Sequence, residues 1–192
     1  MLHETLKQAT RQQHNQLEQL MFVDQIMNGT LTFDEYQKIL TTNYLTHAHI
    51  EEALYTHLSV HLRQRLNFEE RIKLPALLQD LEEAHITIPQ TEPDTSFIDT
   101  SSDAAILGSM YVMEGATLGG NVIVKRLKNN PQLAPYQLNY HYYQVYGDKL
   151  VENWKHFIQV LDTIIPANEY PAAVKSAIGM FEYIASLQGW PA

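Results

Sequence analysis

The stretch MYVMEGATLGGNVI, Met110 to Ile123, lies between segments with helical periodicity, yet it places Gly115, Gly119 and Gly120 within six positions. Each glycine inside a helix costs about 1 kcal/mol relative to alanine. Such a cluster marks a helix that something approaches too closely for side chains. Gly115 and Gly119 are four apart, hence on one side of that helix. The run also decides the architecture. Residues 104–124, AAILGSMYVMEGATLGGNVIV, are apolar enough to suggest a membrane span and contain a G-x-x-x-G pairing motif. Glu114 at the centre would be costly in a bilayer, and the flanking segments are amphipathic in the manner of soluble proteins. The expectation is therefore a buried central helix in an all-α bundle.

The remaining sequence agrees. The 192 residues suit one domain, 1–192, with 45% hydrophobic and 18% charged residues. A formal charge of −9 without a basic run argues against nucleic acid or an anionic membrane as partner. The absence of cysteine excludes disulfides, thiolate metal sites, Fe–S clusters and cysteine nucleophiles. The polar, amphipathic start MLHETLKQATRQQHNQLEQ lacks a signal-peptide core, so a cytoplasmic location is expected.

Apolar spacing predicts a helix over residues 2–27, stopped by Asn28-Gly29. Thr32 with Glu35 forms a capping-box signature for a second, reaching about Arg65. Pro75 opens one over 75–86, and 87–102 reads as a loop. Ser101 or Ser102 caps the glycine-containing helix, which is expected to reach Lys128. A short helix near 133–146 and longer ones over 148–164 and 171–187 complete the bundle. No strand pattern, repeat or linker is visible.

Nine histidines invite a metal reading. A di-iron bundle needs Glu-x-x-His on two helices, and the chain offers one, Glu82 to His85. His47 and His49 face different directions, and His57 and His61 lack an H-E-x-x-H context; these four read as surface or interhelical polar residues. The remaining cluster is in LKQATRQQHNQLE, where Lys7, Arg11, His14 and Glu18 share one broad helical face. Glu18 can hold one ring nitrogen of His14 and leave the other for a metal. A merely solvated face is the bland reading of the same four residues. The two unusual segments make sense together if the chain binds haem, a flat apolar disc needing an axial histidine, cations for its propionates and bare backbone over its other face.

LKQATRQQH followed by LE, together with YVMEGATLGG, resembles the biliverdin-producing haem oxygenases, notably their bacterial branch. YGDKLVENWKHF, 146–157, is similar to a segment of members found beside phytochromes. The resemblance implies a haem oxygenase-like helical fold in which haem is both cofactor and substrate. O2 and reducing equivalents from a ferredoxin, flavodoxin or reductase open it to biliverdin, carbon monoxide and ferrous iron. It also implies His14 as proximal ligand, Glu18 as the carboxylate orienting it, and Lys7 on the propionate side. Gly115 and Gly119 become the distal, catalytic glycines, and Arg11, Tyr111 and Gly120 further haem contacts.

The chain departs from mammalian relatives at Ala116, where they place a distal aspartate, and near Met110, where they place a tyrosine; Tyr111 is adjacent. Lys149 is the nearest base to NYHYYQVYG. Thiaminase II-type enzymes share the fold but need a cysteine. A non-catalytic haem or tetrapyrrole carrier or sensor is a harder rival, and a helical interaction module with packing glycines is a third.

Overall fold

Caps carried by the sequence set many of the helix ends. The computed structural model describes residues 1–88 and 95–189. Among them it contains α1 (Leu2–Ala9), α2 (Arg11–Leu20), α3 (Val23–Asn28), α4 (Phe33–His57), α5 (Val60–Leu66), α6 (Leu74–Glu83), α7 (Asp103–Leu118), α8 (Gly120–Lys128), α9 (Leu150–Ile164) and α10 (Tyr170–Ser186), with no strand among the described residues. Gly29 ends α3 at φ 69°, a left-handed conformation that glycine adopts without strain. Thr32 and Glu35 form the expected reciprocal cap of α4. The Ser102 hydroxyl accepts the Ala105 N–H at the start of α7. Pro75 and Pro171 sit in first turns, where a missing N–H costs nothing. Part of the loop expected over 87–102, residues 89–94 with both its prolines, lies outside the described residues.

Four expected boundaries are corrected. The single helix expected over 2–27 is three. Its first break is at Thr10, whose hydroxyl donates to the Leu6 carbonyl at 2.8 Å, and its second is at Phe22, with φ 56°. The helix expected to reach Arg65 stops at His57; Asp103 accepts the Ser59 N–H at 2.9 Å, and the chain restarts as α5. The glycine-containing helix breaks at Gly119, where ψ −2° ends α7 and Gly120 begins α8. Near 133–146 turns and a short 3-10 segment replace the expected helix. There Asn130 takes the Gln132 N–H, and Asp80 takes those of His141 and Tyr142.

α7 is central. Ile106, Leu107, Met110 and Met113 join residues of α1, α4, α9 and α10 in the larger core, while a second core lies between α4, α6, α8 and residues 140–143. α10 lies along α7 with backbones in contact: a Cβ on Gly108 would stand 2.1 Å from the Ala173 carbonyl oxygen. Gly108→Ala is accordingly expected to destabilise by about 1–3 kcal/mol in urea unfolding despite alanine's better helix propensity. No described helix is long and apolar enough to cross a membrane.

Candidate active site

α2 carries only two apolar residues, Leu17 and Leu20, and none of its ten residues is buried. Leu17 and Leu20 are only half-buried, and His14 and Glu18 stand out with 57% and 50% of their side chains exposed. The break at Thr10 separates this exposed helix from α1, whose Leu2 and Leu6 are fully buried. His14 Nδ1 faces Glu18 Oε2 at 3.5 Å, and its ring meets Phe181 of α10 edge-on at 6.1 Å. Lys7 and Arg11 lie exposed on the last turn of α1 and the first of α2.

Across α10, α7 presents a second stripe. Tyr111, Gly115 and Gly119 follow one another at four-residue intervals and so share a face. Tyr111 is half-buried between His3, at 6.1 Å, and Trp154, at 5.8 Å, and burial raises its hydroxyl pKa. His3 thus docks α1 against the beginning of the glycine stripe, and Asp162 of α9 fixes it by accepting the His3 N–H at 2.9 Å. Downstream the surface is apolar and open: Leu118 is 39% exposed and Val122 54%.

The glycines separate into two kinds. A Cβ on Gly120 would fall 2.3 Å from the Tyr143 carbonyl oxygen, so packing against that carbonyl is enough to require a glycine there. Gly115 and Gly119 are different. A Cβ on Gly115 would meet Trp154 Cη2 at 3.9 Å, and one on Gly119 would meet Ile123 Cδ1 at 3.5 Å, both ordinary contacts. Gly179, in the interior of α10, faces open space among the described residues, and no sequence pattern marks it. At these positions the helices forgo side chains that the protein itself would tolerate.

The sequence profile of the heme oxygenase family matches residues 1–187. The chain belongs to that family. A heme oxygenase of Xanthomonas campestris pv. campestris (strain 8004) is 30% identical over 157 residues, covering 81% of this chain and 89% of that protein. The NO- and CO-bound heme oxygenase of Neisseria meningitidis shares the fold, with a TM-score of 0.73 at 16% identity over 98% of this chain and 90% of that one.

This member of the heme oxygenase family also carries a buried polar network that sequence inspection missed. Glu114, 4% exposed, accepts from Arg71 Nη1 and Lys73 Nζ at 2.6 Å each and from the Tyr146 hydroxyl at 2.9 Å. Burial works to raise the Glu114 carboxyl, but Lys73 and Arg71 overcome it and hold the group below the ordinary carboxylate range. Arg71 also donates to the Leu66 and Asn153 carbonyls, tying α5 and α9 to the same point. Glu51 of α4 accepts the Lys73 and Leu74 N–H groups at the start of α6, where a helix dipole favours an anion. His47, expected as a surface or interhelical residue, lies in the core. Burial depresses its pKa despite Glu51, and the ring bonds Glu51 through Nδ1 and the Tyr142 hydroxyl through Nε2. His49 is buried and bonds the Tyr183 hydroxyl, whereas His57 and His61 are exposed.

Glu82 and His85 are both exposed. The described Asp, Glu and His side chains whose ligand atoms converge are Asp80, Glu83 and His141. Their oxygens are already engaged by the N–H groups of residues 139, 141 and 142 and by the Asn139 and His141 side chains. Burial pushes the Asp80 carboxyl up to about 6 even against two backbone donors. This group fastens a loop to α6.

Proposed function

We propose that this chain degrades haem to biliverdin, carbon monoxide and ferrous iron with O2 and reducing equivalents, holding haem between α2 and the bare stripe of α7. One observation carries the reading: Gly115 and Gly119 lie on a face where the protein would accept side chains, so their absence serves a non-protein neighbour. The surrounding residues fit a flat, apolar disc with two carboxylates at one edge. Leu118 and Val122 offer exposed apolar cover, and Lys7 and Arg11 offer cations for the propionates.

His14 is the proposed iron ligand. With Nδ1 facing Glu18, Nε2 keeps its lone pair for the metal, and the carboxylate helps orient the ring. Bound there, haem supplies both the iron that takes up oxygen and the ring that is cleaved. Gly115 and Gly119 let backbone come close enough to limit which ring edge oxygen can reach. Residues 115–122, GATLGGNV, contain no ionisable side chain, so protons are delivered through solvent rather than by an acid on this stretch. Electrons come from a ferredoxin, flavodoxin or reductase.

The same lack of an acid, with Ala116 exposed beside Gly115, favours a second reading in which haem is bound but not opened. Aerobic reduction of the haemin complex separates the two. Turnover is expected to bleach the Soret band, with biliverdin and carbon monoxide released in proportion to haem consumed. A persistent Soret band under reductant and air would contradict turnover and leave a carrier or sensor.

A further inference from the structure

The bare stretch 115–119 is held at both ends, and one segment contributes to both holds. On its N-terminal side Glu114 receives the Tyr146 hydroxyl at 2.9 Å, together with Arg71 and Lys73. On its C-terminal side Gly120 lies against the Tyr143 carbonyl, at a distance no side chain would permit. Tyr143 and Tyr146 belong to the turn region 139–146, which is itself fastened to α6. Asp80 accepts the His141 and Tyr142 N–H groups at 2.7 and 2.8 Å, and Glu83 accepts the Asn139 N–H at 2.8 Å. Tyr140 takes φ 62° in this segment, an unfavourable conformation for a tyrosine that the neighbouring bonds hold in place.

We infer that Tyr146 and Glu114 are positioning residues for ring opening: through them the 139–146 segment sets how far the Gly115–Gly119 backbone reaches over the substrate, and hence which meso edge is attacked. The inference rests on the haem-degrading reading above. Its physical basis is the cost of the arrangement. A carboxylate and two cations taken wholly out of water contribute little net stability compared with apolar packing, but they fix a geometry. Glu114 sits one residue before Gly115, so a rotation of α7 about its axis cannot occur without breaking its bonds to three donors, Arg71, Lys73 and the Tyr146 hydroxyl. Neither residue touches the proposed substrate face; both act through backbone position.

The test is the distribution of biliverdin isomers, resolved by chromatography, from wild type, Tyr146→Phe and Glu114→Gln. Tyr146→Phe removes one hydroxyl and leaves both cations on Glu114, so it keeps the fold even where Glu114→Gln does not. The expected result for Tyr146→Phe is unchanged haemin stoichiometry with at least a threefold rise in the minor-to-major isomer ratio, and a larger rise for Glu114→Gln if it folds. A loss of stability alone would not move that ratio in the folded fraction. An isomer ratio in Tyr146→Phe identical to wild type, with wild type active, would overturn the positioning role and leave the haem reading intact. A wild type that forms no saturable haemin complex would overturn the site itself, and this inference with it.

Discussion

His14→Ala is expected to abolish the axially ligated haem spectrum and, with it, turnover. The imidazole is the sole proposed protein bond to iron, and its neighbours on α2 offer no substitute: residues 11–18 read RQQHNQLE. Glu18→Gln is expected to be milder. It keeps the side-chain shape but removes the charge facing Nδ1 at 3.5 Å, and loss of such an outer partner costs about 10–100-fold in metal affinity or activity. The fold should be indifferent to either change, because both side chains are at least half exposed. Haemin titration followed by ascorbate in air measures both effects. An unchanged Soret band in His14→Ala would move the ligand to another histidine.

The second large effect is a contrast among glycines on one helix pair. Gly115→Leu and Gly119→Leu should leave the apoprotein folded, and the alanine versions should melt no lower than wild type, gaining up to about 1 kcal/mol of helix propensity. Haem binding should nonetheless be lost or strongly weakened in the leucine variants, because the new side chain enters the face left bare. Gly120→Ala should behave oppositely, losing stability against the Tyr143 carbonyl 2.3 Å from its Cβ. Thermal melting of the apoproteins beside haemin titrations reads both halves. Full activity in Gly119→Leu would refute the proposed groove.

The glycine run and the polar face of residues 7–18 were legible because each violates or satisfies a local rule. Helix spacing, the Thr32–Glu35 box and the Gly29 stop are likewise local, and the all-α bundle followed from them. The kinks were not legible. Thr10 and Phe22 interrupt a continuous apolar pattern through local hydrogen bonding and a left-handed residue that periodicity does not register. Helical spacing put Gly120 off the Gly115–Gly119 face but did not show that it packs on a carbonyl 23 positions away. Glu114 was informative only as a charge unsuited to a membrane. Its partners Arg71 and Lys73 lie 43 and 41 residues upstream and Tyr146 32 downstream, separations at which spacing carries no signal. His47 illustrates the same limit: its burial depends on Tyr142, 95 residues on.

The central proposal is that α2 and the glycine stripe of α7 hold haem between them. The most direct measurement is an optical titration of the apoprotein with haemin, run beside Gly115→Leu and Gly119→Leu. The account predicts a Soret band in wild type that saturates at equimolar haemin and is lost or strongly weakened in both variants, although they remain folded by circular dichroism. A band that never saturates in wild type, or one equally strong in all three proteins, would contradict it.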